Sequence, residues 1–256
     1  MKFKVVIPAR HGASRLPGKP LRLIAGEPMI RHVYQRAVES GADQVVVATD
    51  HDAVAETVRE FGGDVCMTDS AHHSGSDRIA EVARARKWKS DHIVVNLQGD
   101  EPTMPPANIA SVAQNLQRDK RARIATLCTA MGTVEELLDT NAVKVVRDAN
   151  NYALYFSRSP IPYHREGGFS VDAGMPPGNW WRHMGLYAYR VDSLLEYTAL
   201  PVAELEQQEA LEQLRALWHG MAVHVGDAEA MPVGGVDTEA DLERAEAFLT
   251  ASVSNG

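Results

Sequence analysis

Residues 10–19 gather Arg10, Arg15 and Lys19 among Gly12, Gly18 and Pro17. Cations offset phosphate charge, and glycines let backbone N–H groups approach phosphate oxygens. The chemistry this points to is polyphosphate binding, with an ordinary basic surface loop as the plainer alternative. Two named phosphate loops do not fit. The stretch from Gly12 to Lys19 is one residue too long for a Walker A loop, and Pro20 stands where a Ser or Thr hydroxyl would reach Mg2+. No G-x-G-x-x-G follows the preceding apolar run, so the dinucleotide fingerprint is missing. Asp100 and Asp237 invite a second chemistry. Each lies just past a strand-like run and beside glycine, in Gln98-Gly99-Asp100 and in Gly234-Gly235-Val236-Asp237. Mg2+ takes oxygen ligands and is usually held by one or two carboxylates plus substrate phosphates. A turn or cap role is the alternative for either residue. Ser76, Asp77 and Arg78 likewise read as a helix start or as ligand contacts. His72-His73 has no third ligand nearby in sequence and is set aside as a metal site.

These residues need elements to hold them. Residues 3–7 form an apolar, β-branched run suited to a buried strand. Further strands are expected at 44–50, 64–68 and 91–96, with helices at 28–40, 52–61, 76–88 and 105–118 between or after them. Such alternation implies βαβ units and a mostly parallel central sheet flanked by helices, an α/β fold. Arg10, Thr49-Asp50 and Gln98-Asp100 then gather at strand exits, where open α/β sheets bind ligands. Later come a strand at 123–131, a short helix at 133–139, and strands at 143–147 and 152–157 around the turn-forming residues 148–151. Residues 160–179 are rich in Gly and Pro and read as a mobile loop over the site. A strand is expected at 186–190 and a helix at 191–198. One continuous helix is expected at 205–218, which would put Glu209 and Gln213 on one face. A strand at 222–225 and a final helix from Thr238 to Leu249 close the chain, with Asp241 completing the cap.

The 256 residues suffice for one large α/β domain. Hydrophobic content of 45% and charged content of 23% are ordinary for a soluble globular protein. Lys2, Lys4 and Arg10 interrupt the first apolar run, which excludes a signal-peptide reading, and no later run is long enough for a membrane span. Cys66 and Cys128 form no CxxC pair, which favours a reduced, cytoplasmic protein without structural zinc. A net charge of −8 argues against general nucleic-acid binding, while local cations still permit an anionic nucleotide.

The run PAR at 8–10 followed by SRLPGKPL at 14–21 resembles the signature of the cytidylyltransferases that activate acidic sugars. Ordered matches continue with VATD at 47–50, SGSDR at 74–78, VNLQGDEP at 95–102 and NAVKVV at 141–146. They end with YALYFSR at 152–158, RHMGLYAY at 182–189, LEQLR at 211–215 and GVDT at 235–238. The chain is similar over nearly its whole length to the CMP-Kdo synthetase (3-deoxy-manno-octulosonate cytidylyltransferase) family. The resemblance implies a nucleotide-diphospho-sugar transferase fold, Rossmann-like, as a single domain spanning 1–256. It also implies a small dimerisation and lid insertion at about 141–190 and a cytoplasmic homodimer.

The implied reaction joins CTP and 3-deoxy-D-manno-octulosonate (Kdo) to give CMP-Kdo and pyrophosphate for lipopolysaccharide biosynthesis. By resemblance Asp100 and Asp237 bind Mg2+ and share the catalytic role with Lys19 and Arg10. Arg10, Arg15, Lys19, Ser76, Arg78, Gln98 and Asp100 would contact CTP. Gln98, Arg158, His183, Tyr187, Glu209 and Gln213 would contact the sugar acid. Ser76 stands where Thr is frequent and keeps the hydroxyl, and His11 stands where an aromatic residue often occurs. Other acidic sugars, the 8-amino analogue of Kdo or sialic acid, are the competing substrates. A non-catalytic nucleotide-sugar module is disfavoured because Asp100, Asp237 and Lys19 are all present.

Overall fold

A computed structural model describes residues 1–12, 16–72 and 74–254, with the backbone alone for 252–254; Arg15 and His73 lie outside the described residues. The chain starts with β1 (Lys4–Pro8), all five residues buried. A small hairpin of β2 (Leu23–Ile24) and β3 (Glu27–Pro28) leads into α1 (Met29–Glu39). Next come β4 (Gln44–Thr49), α2 (Asp52–Glu60), β5 (Asp64–Met67), α3 (Gly75–Ala85), β6 (Ile93–Asn96) and α4 (Pro106–Arg118). The middle of the chain supplies β7 (Ile124–Ala130), α5 (Val134–Leu138), β8 (Lys144–Arg147), β9 (Ala153–Ser157) and β10 (Trp181–Arg190). The last elements are α6 (Val191–Ala199), α7 (Glu204–Glu209), α8 (Leu214–Trp218), β11 (Val223–Asp227) and α9 (Glu239–Ser254).

The main sheet runs β11-β7-β10-β6-β1-β4-β5, with β8 joined to β10 and β9 to β8. Strand β1 pairs in parallel with both β4 and β6, and β5 and β11 are parallel to their neighbours. The exceptions are β10, antiparallel to β6 on one side and β7 on the other, and the antiparallel β8–β9 pair. Continuous apolar runs such as Val45–Val47 are buried because both faces are covered. On one face Ile30, Val33, Val54, Val58, Ile109 and Val112 bring α1, α2 and α4 onto the sheet. On the other, Ile79, Val82, Leu194, Tyr197, Leu214 and Ala216 bring α3, α6 and α8. A third cluster fixes the site. Leu16, Ile24 and Met29 pack against Val236, Leu242, Ala245 and Leu249, which clamps α9 and residue 236 onto the loop after β1. Arg22 adds a two-pronged pair to Glu239 at 2.7 and 2.8 Å.

Two expectations need correction. The expected helix at 205–218 is two helices, α7 and α8, broken at Ala210, whose φ is +49°. Arg158 donates to the Glu209 and Ala210 carbonyls at 2.7 and 3.3 Å, and Glu206 pairs with Arg215 across the break. Tertiary partners thus outweigh the helix propensity of the sequence. The strand expected at 186–190 starts at Trp181, with a register shift between Met184 and Tyr187. The Thr126 hydroxyl lies 3.0 and 2.8 Å from the Met184 and Leu186 carbonyls and braces that bulge.

The stretch expected as an insertion is stitched into the sheet by β10 and by the Arg182–Lys144 bridge to β8. Within 160–179, Phe169 and Met175 pack with Trp180 against Met131, Leu137 and Ala142. Among the described residues none from 160–179 lines the main cavity.

Candidate active site

The exits of β1 and β6 lie side by side because the strands are parallel neighbours. The chain then turns at Gln98, where the Glu101 N–H donates to the Gln98 carbonyl at 3.2 Å. Gly99 presses on the end of β1: a Cβ there would stand 2.7 Å from the Pro8 carbonyl oxygen. Only glycine fits so close to fixed backbone. Asp100 therefore leaves the sheet against the loop that carries Arg10 and Lys19. Lys19 opens a single 3-10 turn after Gly18, whose φ of +65° suits glycine.

Asp237 arrives from the far end of the chain. The Val236 N–H donates to the Asp100 carbonyl at 2.8 Å, which ties the two segments together. The α9 cap fixes the next residues: Asp241 accepts from the Asp237 and Thr238 N–H groups at 3.0 and 2.8 Å. Lys19 Nζ then lies 2.8 Å from both Asp100 Oδ2 and Asp237 Oδ1. Burial works against the Lys19 ammonium, yet the charges and hydrogen bonds of Asp100 and Asp237 outweigh it and hold its pKa above the ordinary value. Glu101 stands beside them. Burial, then the Asp100 charge, pushes its carboxyl up to about 7 against the pull of Arg182.

Two carboxylates that converge on one cationic point fit a hard divalent ion, and the remaining coordination is left to phosphate and water. Among the described residues no group of three or more His, Cys, Asp and Glu makes a self-sufficient metal cage. The donor set thus matches Mg2+ shared with a substrate rather than a closed structural site.

A cavity of about 1040 Å³ opens over these residues. Arg10, Lys19, Gln98 and Asp100 line it, and so do Ser74, Gly75 and Asp77 at the start of α3. Ser74 is the actual helix cap, its hydroxyl accepting the Asp77 N–H at 3.1 Å. The opposite wall is Leu200, Pro201, Glu206, Glu212 and Arg215. A small second cavity, about 40 Å³, adjoins it through Gln98 and Glu212. Ser76, Asn96, Tyr187, Tyr189, Tyr197 and Gln213 line this one. Burial raises the Tyr187, Tyr189 and Tyr197 hydroxyls well above the ordinary phenol value, so all three stay protonated donors. Burial also raises Glu212, opposed by hydrogen bonds from Ser76 and Ser74 and by the Arg215 charge. The pair of cavities offers a polyphosphate-sized chamber, with Arg10 and Lys19 on its wall, joined to a pocket rich in hydroxyl donors and acceptors.

The expected site residues divide accordingly. Arg10, Lys19, Gln98, Asp100 and Asp237 come together at the strand exits, and Ser76, Gln98, Tyr187 and Gln213 meet in the small cavity. Asp237 joins through Lys19 without lining either cavity, and four more stand apart from both. Arg78 is wholly buried, donating to Asp50 at 2.8 Å and to the Thr68 hydroxyl at 2.5 Å, so it ties α3 to the ends of β4 and β5. Arg158 spends its guanidinium on the Thr140, Glu209 and Ala210 carbonyls. Glu209 accepts from the Ser157 hydroxyl and the Arg158 N–H at 2.6 and 2.9 Å. His183 Nε2 bonds the Thr126 hydroxyl at 2.9 Å, and burial depresses the imidazole to about 3, so it is neutral. Reading the sequence alone missed Glu212, Ser74 and Asn96. Their signal, proximity to Gln213, to the SGSDR run and to Gln98, was present but not distinctive.

Replacing Arg78 by Leu should cost about 3–5 kcal/mol, the range for a buried pair robbed of one partner. A thermal melt would show the loss, with the affinity for a nucleoside triphosphate unchanged in the folded protein. A weakened affinity with an unchanged melt would mean the guanidinium reaches the ligand.

Comparison with known proteins agrees with this arrangement. A family model described as cytidylyltransferase matches residues 4–223. A 3-deoxy-manno-octulosonate cytidylyltransferase of Alkalilimnicola ehrlichii is 54% identical over 249 residues, 96% of each chain. One from Nitrosococcus oceani is 49% identical over 257 residues, covering 100% of this chain and 99% of that one. A solved structure of a CMP:2-keto-3-deoxy-manno-octonic acid synthetase complexed with CTP superposes with a TM-score of 0.89 at 43% identity, covering 98% of this chain and all of the other. With its strand exits, paired aspartates and near-complete coverage by such relatives, the chain belongs to the 3-deoxy-manno-octulosonate cytidylyltransferase family.

Proposed function

We propose that the protein transfers CMP from CTP to Kdo, releasing pyrophosphate, with Mg2+ held between Asp100 and Asp237. The observation that carries this is the meeting of Lys19, Asp100 and Asp237 at the mouth of one large cavity. Arg10 and Lys19 hold the triphosphate. Lys19 keeps its charge, because the two aspartates raise its pKa, and offsets the charge that gathers on the departing pyrophosphate. The sugar lies in the large cavity where it meets the small pocket at Gln98 and Glu212, with Tyr187 and Gln213 behind them. Its anomeric hydroxyl attacks the α-phosphorus in line; the new O–P bond forms as the bond to the β-phosphate bridging oxygen breaks, and the hydroxyl proton passes to solvent water. Asp100 and Asp237 would hold the cation, which when bound would supply Lewis-acid stabilisation and lower the pKa of the attacking hydroxyl. Neutral His183, bonded to Thr126 and outside both cavities, is not placed to act as a base.

The product is an activated acidic sugar, consistent with supply to lipopolysaccharide assembly from the cytoplasm. Among the described residues no helix is long and apolar enough to cross a membrane. The homodimer that the family resemblance implies is part of this reading.

The test is pyrophosphate release from CTP and Mg2+ offered Kdo, its 8-amino analogue or sialic acid in turn. Kdo should give the largest kcat/KM. Preference for either other sugar would reassign the substrate, and CTP turnover with none of them would remove the activity.

A further inference from the structure

The mechanism above leaves one buried acid unused. Glu101 follows Asp100 directly, and its Oε2 is buried with no hydrogen-bond partner. Its other oxygen presses on the glycine run before Asp237: a Cβ on Gly235 would stand 3.2 Å from Glu101 Oε1 and 3.7 Å from the Asp100 carbonyl. Behind it lies a cavity of about 110 Å³, lined by Glu101, Thr129, Arg182, His183 and Gly235 among others. Arg182 does not take up the carboxylate, since its guanidinium is bonded to Glu136 at 3.2 Å. A buried carboxyl without a partner costs free energy, so a side chain serving only as filler would do better as Leu or Met. A cavity of this size is polar and roomy enough for ordered water on Oε2.

The geometry points to Glu101 as a positioning residue for the cation site. Wedged between Asp100 and Gly235, it sets the gap between the two aspartates without touching the ion itself. Groups that orient metal ligands from behind typically change affinity by 10–100-fold when replaced. The inference rests on the assignment of Asp100 and Asp237 to a divalent cation.

The experiment is a titration of Mn2+ into the full chain with CTP present and sugar absent, followed by electron paramagnetic resonance. E101Q keeps the heavy-atom volume but puts amide hydrogens where a bare carboxyl oxygen wedges against Gly235; it should weaken Mn2+ binding about tenfold or more with an unchanged melt. A purely space-filling role would leave that affinity alone. G235A presses on Glu101 from the other side and should also weaken Mn2+ binding. Wild-type Mn2+ affinity in folded E101Q overturns the proposal. Should E101Q fail to fold, wild-type affinity in folded G235A overturns it instead. D100N separates the two layers. If D100N binds Mn2+ normally, the cation assignment falls; if D100N loses Mn2+ while E101Q keeps it, only the role of Glu101 falls.

Discussion

Asp100→Asn lowers kcat by roughly 10³-fold while the protein melts as a folded enzyme. The reason is electrostatic. Asn keeps the shape of Asp and the space beside Gly99, but it removes one of the two carboxylates that face Lys19 at 2.8 Å. A divalent ion contributes several kcal/mol to a transition state that gathers charge, and each ~1.4 kcal/mol is tenfold in rate. Lys19 still pairs with Asp237, and the Val236 N–H still donates to the Asp100 carbonyl, so the local fold persists. Asp237→Asn should match it. The double variant should be scarcely worse than either single one, because the two side chains act as a unit. Pyrophosphate release at saturating CTP, Mg2+ and Kdo measures this. Activity in Asp100→Asn within tenfold of the parent would remove the metal assignment, and additive losses in the double variant would separate the two carboxylates.

How legible this was depended on whether a signal was local. The sheet was legible because Val45–Val47 and Ile93–Val95 are continuous apolar runs that only a strand buried on both faces explains. Their exits then collected Arg10 and Gln98–Asp100 without further information. Asp237 was not legible from residue pattern, since what brings it to Asp100 is the packing of Leu16 and Met29 on Val236, far apart in sequence. The placement of Glu209 away from the two cavities was not legible for a related reason. Ala210 looks like helix interior, and nothing nearby in sequence breaks the run. The break comes from Arg158, distant in the chain, whose guanidinium takes the last α7 carbonyls. That break turns Glu212 toward the cavities and leaves Glu209 serving Ser157 and Arg158. Resemblance located the right neighbourhood, and tertiary hydrogen bonds chose the residue within it. Strand β10 was half legible in the same way: the bulge at Gly185 interrupts its alternation, and Thr126 on the neighbouring strand supports that bulge.

The second large effect belongs to Lys19, and it has two signs. Without substrate its ammonium sits between Asp100 and Asp237, largely buried, where a divalent ion would also sit. The lysine and the ion therefore compete for the same oxygens until a triphosphate draws the lysine away. Lys19→Met keeps most of the packing of the stem and deletes the charge. With CTP bound, the departing pyrophosphate loses a fixed cation, and kcat should fall about 10²-fold or more, the cost of removing one preorganised donor. Without CTP, the two aspartates face each other unbalanced, and Mn2+ should bind the free enzyme more tightly than it binds the parent. Opposite signs from one substitution are the diagnostic. A lysine that only braced the loop would weaken both activity and Mn2+ binding, because the carboxylates would drift apart. Mn2+ titration of the CTP-free variant decides between them: tighter binding supports competition for the aspartates, and weaker binding makes Lys19 a scaffold.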